Sequence, residues 1–226
     1  MKIKYGFMVL LLGLSASAYA ADIVLETEKQ KVSYILGYQA GSQLKQGDFD
    51  IDFDSLTAAI KEGLDGKEPR LTGEQAAAVM QAYQAKQQAQ QAEKGKANAE
   101  AGKAFLAANK GKPGVTTLEN GLQYKVIKAG NGNQPKESDA VTVHYRGTTI
   151  DGKEFDSSYK RGQPASFPVK GVIPGWTQIL QLMKEGAKWQ VFIPSELAYG
   201  PRGAGGDIGP DSTLIFDIEL IAIKAN

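Results

Sequence analysis

Tyr145, Phe155, Asp156, Val172, Ile173, Trp176, Tyr199 and Phe216 fall within some seventy residues, each beside a turn or strand signal. Such a set can line a compact aromatic pocket. Nucleophilic catalysis needs a base beside the nucleophile, and Ser157-Ser158 has none nearby, so these serines read as turn chemistry. His144 is the only histidine, and strand alternation sets it on the face opposite Tyr145. Gly203-Ala204-Gly205-Gly206 is followed by no Gly-Lys-Ser/Thr and has no βαβ context, so it reads as a mobile pocket rim rather than a phosphate loop. No metal-ligand cluster and no cofactor motif is present. What these residues offer is a compact aromatic pocket without a nucleophile–base pair, a metal cluster or a phosphate loop.

Strands must position these residues. Val141 to Tyr145 and Leu214 to Leu220 alternate with period two, and Leu122 to Lys128, Ala165 to Val169 and Trp189 to Pro194 are further strand candidates. Asp151-Gly152 is a hairpin turn pair. One short helix is predicted from Trp176 to about Met183. The fold class is therefore α+β: an antiparallel twisted sheet wrapped on a short helix.

The residues before Lys110-Gly111-Lys112-Pro113-Gly114 behave differently. Thr27-Glu28-Lys29-Gln30 and Thr72-Gly73-Glu74-Gln75 match the capping box, and Phe53, Leu56, Ile60 and Leu64 recur at helical spacing before Gly66. Helices are predicted near 28–46, 53–65 and 73–109. The third is rich in Ala, Gln, Lys and Glu and is read as a solvated helical arm; a disordered low-complexity linker is the alternative. Val32, Ile35, Leu36, Ala40 and Leu44 give the first helix an apolar face, beside Gly37 and Gly41. Two short helices hold little core of their own, so this region is read as a homodimerisation module, against an intrachain three-helix bundle. Domain boundaries follow at 1–20 (signal peptide), 21–72 (helical dimerisation domain), 73–112 (long connecting helix) and 113–226.

The signal peptide rests on Lys2 and Lys4, the apolar run Phe7 to Leu14, and the Ala18-Tyr19-Ala20 cleavage site. Cleavage after Ala20 would take the formal net charge from +1 to −1 by removing the two lysines. A near-neutral surface without a basic run argues against nucleic acid as a partner. There is no cysteine, hence no disulfide or thiolate chemistry. The expected location is periplasmic or cell-envelope, with outer-membrane association open.

The segments Val143-His144-Tyr145-Arg146-Gly147, Gly152-Lys153-Glu154-Phe155-Asp156-Ser157-Ser158, Val172-Ile173-Pro174-Gly175-Trp176, Leu197-Ala198-Tyr199-Gly200 and Leu214 to Leu220 stand in order. Together they make residues 115–224 resemble the FKBP-type peptidyl-prolyl cis-trans isomerases. The helical first half, arm and signal peptide resemble the Mip-like dimeric bacterial subfamily. The resemblance implies an FKBP-type isomerase domain over 113–226, acting on proline-containing unfolded or partly folded polypeptides in the folding of exported proteins. It implies catalytic roles for Asp156, Tyr199, Phe216 and Tyr145, and substrate contacts from Phe155, Val172, Ile173, Trp176, Ile208 and Arg161. Trp176 would be the floor under the proline ring, and the Ile173 N–H and Tyr199 hydroxyl would donate to substrate carbonyls. Macrolide inhibitors are implied as ligands; an aromatic wall of eukaryotic relatives is Ala165 here, and two rim residues are Ala204 and Asp207, which bears on that affinity. Two other functions stay open: a dimeric holdase chaperone cradling unfolded chains between its arms, and a surface adhesion factor.

Overall fold

The structure, a computed structural model, describes residues 23–224 with the exception of Asp48. The signal-peptide and cleavage-site expectations lie outside the described residues. The chain divides into two compact units, up to Lys61 and from Glu62 onward.

In the first unit, helix α1 spans Glu28–Gln46 and helix α2 begins at Phe53 and runs to Leu64. Thr27 caps α1 as a full capping box: its side chain accepts from the Gln30 N–H, and the Gln30 amide reaches back to the Thr27 N–H at 2.9 Å. The apolar face of α1 is open, with Ile35 52 % and Leu36 61 % exposed. A Cβ added at Gly37 or Gly41 would meet nothing within 4 Å. The close backbone contact expected at these glycines is therefore absent among the described residues.

In the second unit, α2 closes on Gly66. Its N–H bonds to the Gly63 carbonyl and the Lys67 N–H to the Glu62 carbonyl, with Gly66 at φ +70°, the paired bonds of a Schellman stop. Helix α3 follows over Gly73–Lys110, capped by Thr72 and Gln75 in the same reciprocal manner as α1.

Helix α3 differs from the solvated arm predicted for it. Its C-terminal half docks along one face, with Gly95, Gly102 and Asn109 buried at intervals of seven. These positions lie on one stripe because seven residues are close to two helical turns. Each glycine admits a neighbour: a Cβ at Gly95 would stand 2.9 Å from Asp211 Oδ2, and one at Gly102 would collide with Thr213 Oγ1. Between them Asn98 donates to the Pro210 carbonyl, and beyond Gly102 Phe105 meets Phe192 with ring centroids 5.9 Å apart. At the end of the stripe Asn109 donates to Gln123 Oε1 at 2.9 Å, and Gln123 Nε2 donates to the Leu106 carbonyl at 2.8 Å. The buried amides are thus mutually satisfied.

The sheet has seven antiparallel strands: β1 (Val115–Thr117), β2 (Gln123–Lys128), β3 (Ala140–Thr149), β4 (Glu154–Ser157), β5 (Ala165–Pro168), β6 (Lys188–Ile193) and β7 (Leu214–Lys224). Their order is β1-β2-β6-β7-β3-β4, with β5 pairing β3 beside it. β1 and β4 were not expected; three and four residues are too few to show alternation. Helix α4 covers the inner face over Pro174–Leu182 and starts two residues before the predicted Trp176, because Pro174 occupies the first turn, where its missing N–H is no loss.

Alternation builds the core. On β7, Leu214, Phe216, Ile218 and Leu220 point inward; Val141, Val143 and Tyr145 do so on β3, and Ile179 and Leu180 answer from α4. Each fully buried side chain of this size contributes about 1.5–3 kcal/mol of hydrophobic stabilisation. His144 faces the other way, stacked on Tyr159 at 4.7 Å, with Nδ1 2.9 Å from Ser158 Oγ. Ser158 itself is buried and bonds both the N–H and the carbonyl of Tyr145, a structural tie as expected of turn chemistry.

Candidate functional site

Trp176 lies near the start of α4, where Pro174 and the short approach from Ile173 aim its indole at the sheet. It is 4 % exposed, and three rings stand edge-on around it. Tyr145 and Phe216 each lie 5.3 Å away at interplanar angles of 87° and 86°, and Phe167 lies 6.0 Å away at 84°. Phe155 in turn meets Phe216 at 5.6 Å and 84°. Edge-to-face pairs gain about 0.5–1.5 kcal/mol each beyond area burial, so this cage is rigid before any ligand arrives. The strand register sets it: Gly147 on β3 faces Phe216 on β7 and Asp156 on β4. A Cβ on Gly147 would stand 2.6 Å from the Phe155 ring and 2.7 Å from Phe216, so only glycine lets the two rings meet.

The resulting cleft has a volume of about 420 Å³ and is lined by Tyr145, Phe155, Asp156, Phe167, Gly171, Val172, Ile173, Trp176, Tyr199 and Phe216. Small-ligand sites typically occupy about 300–1,000 Å³. Eight of the ten residues singled out in the sequence line it. Arg161 reaches it indirectly, through Tyr145 and Asp156. Ile208 does not line it; its side chain is buried in the adjoining core. Sequence reasoning passed over Phe167 and Gly171. For Phe167 a signal existed, since it alternates with Ala165 on a predicted strand; Gly171 has only a backbone to offer and left none.

At the rim, Asp156, Tyr145 and Arg161 close a triangle. The Tyr145 hydroxyl donates to Asp156 Oδ2 at 2.5 Å, Arg161 donates to Asp156 Oδ1, and Arg161 also donates to the Tyr145 oxygen at 2.7 Å. The guanidinium further lies 5.4 Å from the Tyr145 ring centre, a cation–π contact. Burial pushes the Asp156 carboxyl up, but the bonds from Tyr145 and Arg161 outweigh it and hold the group below its ordinary 3.8. Burial and then the bond to Asp156 push Tyr145 above its ordinary 10.0. Tyr199 rises too, through burial and then the nearby Asp156 charge. At neutral pH the site therefore holds one carboxylate and two protonated phenols.

Two donors at the edge of the cleft remain unsatisfied. Tyr199, 40 % exposed, makes no hydrogen bond through its hydroxyl among the described residues, and the Ile173 N–H finds no acceptor there either. The Trp176 Nε1 is likewise buried without an acceptor among the described residues. An apolar floor with two open donors at its edge can seat an apolar ring and hold its flanking carbonyls. It offers no activated nucleophile.

The chain matches the family model of the FKBP-type peptidyl-prolyl cis-trans isomerase over residues 131–221, and that of the domain amino terminal to FKBP-type peptidyl-prolyl isomerase over 29–126. It is 49 % identical over 219 residues to the peptidyl-prolyl cis-trans isomerase Mip of Coxiella burnetii, covering 95 % of this chain and 94 % of that one. The chain belongs to the FKBP-type peptidyl-prolyl cis-trans isomerases. The outer membrane protein MIP of Legionella longbeachae is 47 % identical over 94 % of each chain. Among solved structures, FkpA from Escherichia coli superposes with a TM-score of 0.63 at 38 % identity, covering 89 % of this chain and 99 % of that one. This FKBP-type chain thus combines an N-terminal helical module, a long helix and a C-terminal antiparallel FKBP domain, as expected from the sequence.

Proposed function

We propose that the protein accelerates cis–trans isomerisation of Xaa-Pro bonds in unfolded or partly folded polypeptides, and that the cleft over Trp176 is where it does so. The observation that carries the reading is the preformed cage around that indole, with the Tyr199 hydroxyl and the Ile173 N–H both open to an incoming carbonyl. Rotation about the amide faces a barrier of about 18–20 kcal/mol, because resonance must be lost. Lowering it by only about 4 kcal/mol accelerates the reaction roughly a thousandfold. No proton or covalent bond has to move; the site need only bind the twisted amide better than the planar one.

Each residue has a task in that scheme. Trp176 carries the proline ring, and Tyr145, Phe155, Phe167, Val172 and Phe216 wall it. The twisted amide has less charge separation than the planar one, so an apolar surround favours it. Tyr199 and Ile173 fix the flanking carbonyls and so the torsion. Asp156 has both oxygens engaged, by Tyr145 and Arg161, which favours a role in orienting those two groups over direct contact with the reacting carbonyl.

The working form is a homodimer through α1 and α2. Support comes from the open apolar face of α1 and from Gly37 and Gly41, whose cost of about 1 kcal/mol each relative to alanine meets no compensating contact among the described residues. A second copy packed on that face would supply the contact those glycines call for. The protein works in the cell envelope, exported by the signal peptide read at residues 1–20, a location in keeping with the name of the Legionella longbeachae relative. Fractionation of cells should find it in the periplasmic or outer-membrane fraction; recovery in the cytosol would contradict export.

Refolding of a denatured protein whose slow phase is a proline isomerisation tests the function. The slow phase should shorten with added protein, and Phe216→Ala should cut that acceleration roughly tenfold or more, in step with its loss of activity on a short peptide. Help that survives undiminished would favour the holdase reading.

A further inference from the structure

Between α3 and the cleft lies the segment from Tyr199 to Thr213, and its hydrogen bonds form a short relay. On α3, Asn98 Nδ2 donates to the Pro210 carbonyl at 2.8 Å and lies 3.4 Å from Ser212 Oγ. One residue on, the Asp211 N–H donates to the Gly200 carbonyl at 2.9 Å. Gly200 directly follows Tyr199, whose ring lines the cleft. A helix side chain is therefore two hydrogen bonds away from the backbone that carries a pocket hydroxyl.

The segment needs such a tie. Gly200, Gly203, Gly205 and Gly206 all have positive φ, and its internal bonds, Ala204 with Ile208 and Asp211 with Gly200, join the segment to itself. Ile208 anchors the middle in the core. Asp211 is the one non-glycine residue at positive φ among the described residues, at 52°. A residue in that conformation persists where its surroundings hold it. Here α3 does the holding: Gly95 makes room for the Asp211 carboxylate and for Pro210, and Asn98, about one turn on, bonds the Pro210 carbonyl.

The contact is also a narrow one. A cleft of about 340 Å³, lined partly by Asn98, Ala101 and Thr149, runs along one flank of α3. Another of about 380 Å³, lined partly by Ala99, Lys103 and Leu106, runs along the other. Near Asn98 a seam of glycines and amides, rather than a broad apolar face, joins the helix to the domain.

We propose that Asn98 is a positioning residue for the isomerase site: through Pro210 and Asp211 it sets where the Tyr199 hydroxyl stands, so docking of α3 is part of what makes the cleft competent. The inference rests on the role given to Tyr199 above. It makes the long helix more than a spacer, because undocking it releases a pocket donor.

The test measures kcat and KM for an Ala-Leu-Pro-Phe peptide with the full chain: wild type, Asn98→Asp, Tyr199→Phe and the double variant. Asn98→Asp keeps the shape and replaces the donor with a carboxylate that repels the Pro210 carbonyl. It should lower kcat/KM at least about fivefold, the factor one neutral hydrogen bond is worth, and shift the Tyr199 and Gly200 amide resonances. It should cost nothing further once Tyr199 is phenylalanine. Wild-type activity in Asn98→Asp, or losses that multiply in the double variant, overturns the proposal while leaving the isomerase reading intact; an inactive wild type overturns that reading itself. Where Asn98→Asp lowers the urea midpoint, Gly95→Ala, which presses a methyl group on Asp211 with Asn98 in place, is read by the same double-variant comparison.

Discussion

Trp176 is useful because of what surrounds it rather than because of any reactivity. Its three edge-on neighbours come from β3, β5 and β7, so the cage exists only once the sheet has closed. Tyr199→Phe removes one open donor and leaves packing unchanged; kcat/KM should fall about tenfold with the urea midpoint unmoved. Gly147→Ala presses a methyl group between Phe155 and Phe216 and should destabilise the domain by about 1–3 kcal/mol in urea titration. The pH profile follows from the shifted groups. Asp156 has its pKa lowered in the fold, so its contribution is present above the ordinary carboxylate value and is lost as pH falls through the lower folded one. Tyr145 and Tyr199 have theirs raised and keep their protons past 10.0. Activity should accordingly stay flat between about pH 5 and pH 9; a bell centred near neutrality would contradict a mechanism without proton transfer. At this scale the sequence was informative where aromatics sat in ordered motifs. It marked Gly147 within a motif but not the ring contact that demands a glycine there, and it was silent on Gly171, which offers only its backbone.

Helix α3 shows where element-level reasoning ran out. Composition and the capping box at Thr72 gave its start and near enough its end. The docking of its C-terminal half was missed because the stripe is written in Gly95, Asn98, Gly102 and Asn109, residues that apolar periodicity does not register. Glycines in a helix interior at a spacing of seven were the available signal, each a cost that a close neighbour must justify. Gly102→Val would drive a branched side chain into Thr213 and should lower stability by about 1–3 kcal/mol, read as a lower urea midpoint. If α3 instead floats free of the domain in solution, the substitution will leave the midpoint unchanged. The sheet was better read, since β3 and β7 are long enough to show alternation. The short strands β1 and β4 are fixed by their partners β2 and β3 rather than by their own pattern.

At the scale of the molecule, two tethered clefts would hold a chain carrying several prolines more tightly than one, without any new type of contact. No helix of the described residues is long and apolar enough to cross a membrane. Leu36→Asp places a charge in the middle of the open face of α1 and should give a monomer by sedimentation. Its isomerase rate per chain on a short peptide should stay unchanged, while its effect on a long unfolded chain falls. A dimer that survives the substitution would move the interface elsewhere.

The central claim is that the cleft over Trp176 catalyses rotation about a prolyl bond. Magnetisation-exchange NMR on an Ala-Leu-Pro-Phe peptide tests it most directly, with wild type beside Phe216→Ala and Asp156→Ala. The account predicts exchange far above the uncatalysed rate with wild type and a fall of roughly tenfold or more in both variants. Exchange at the uncatalysed rate with folded wild type, or at the wild-type rate in both variants, would contradict it.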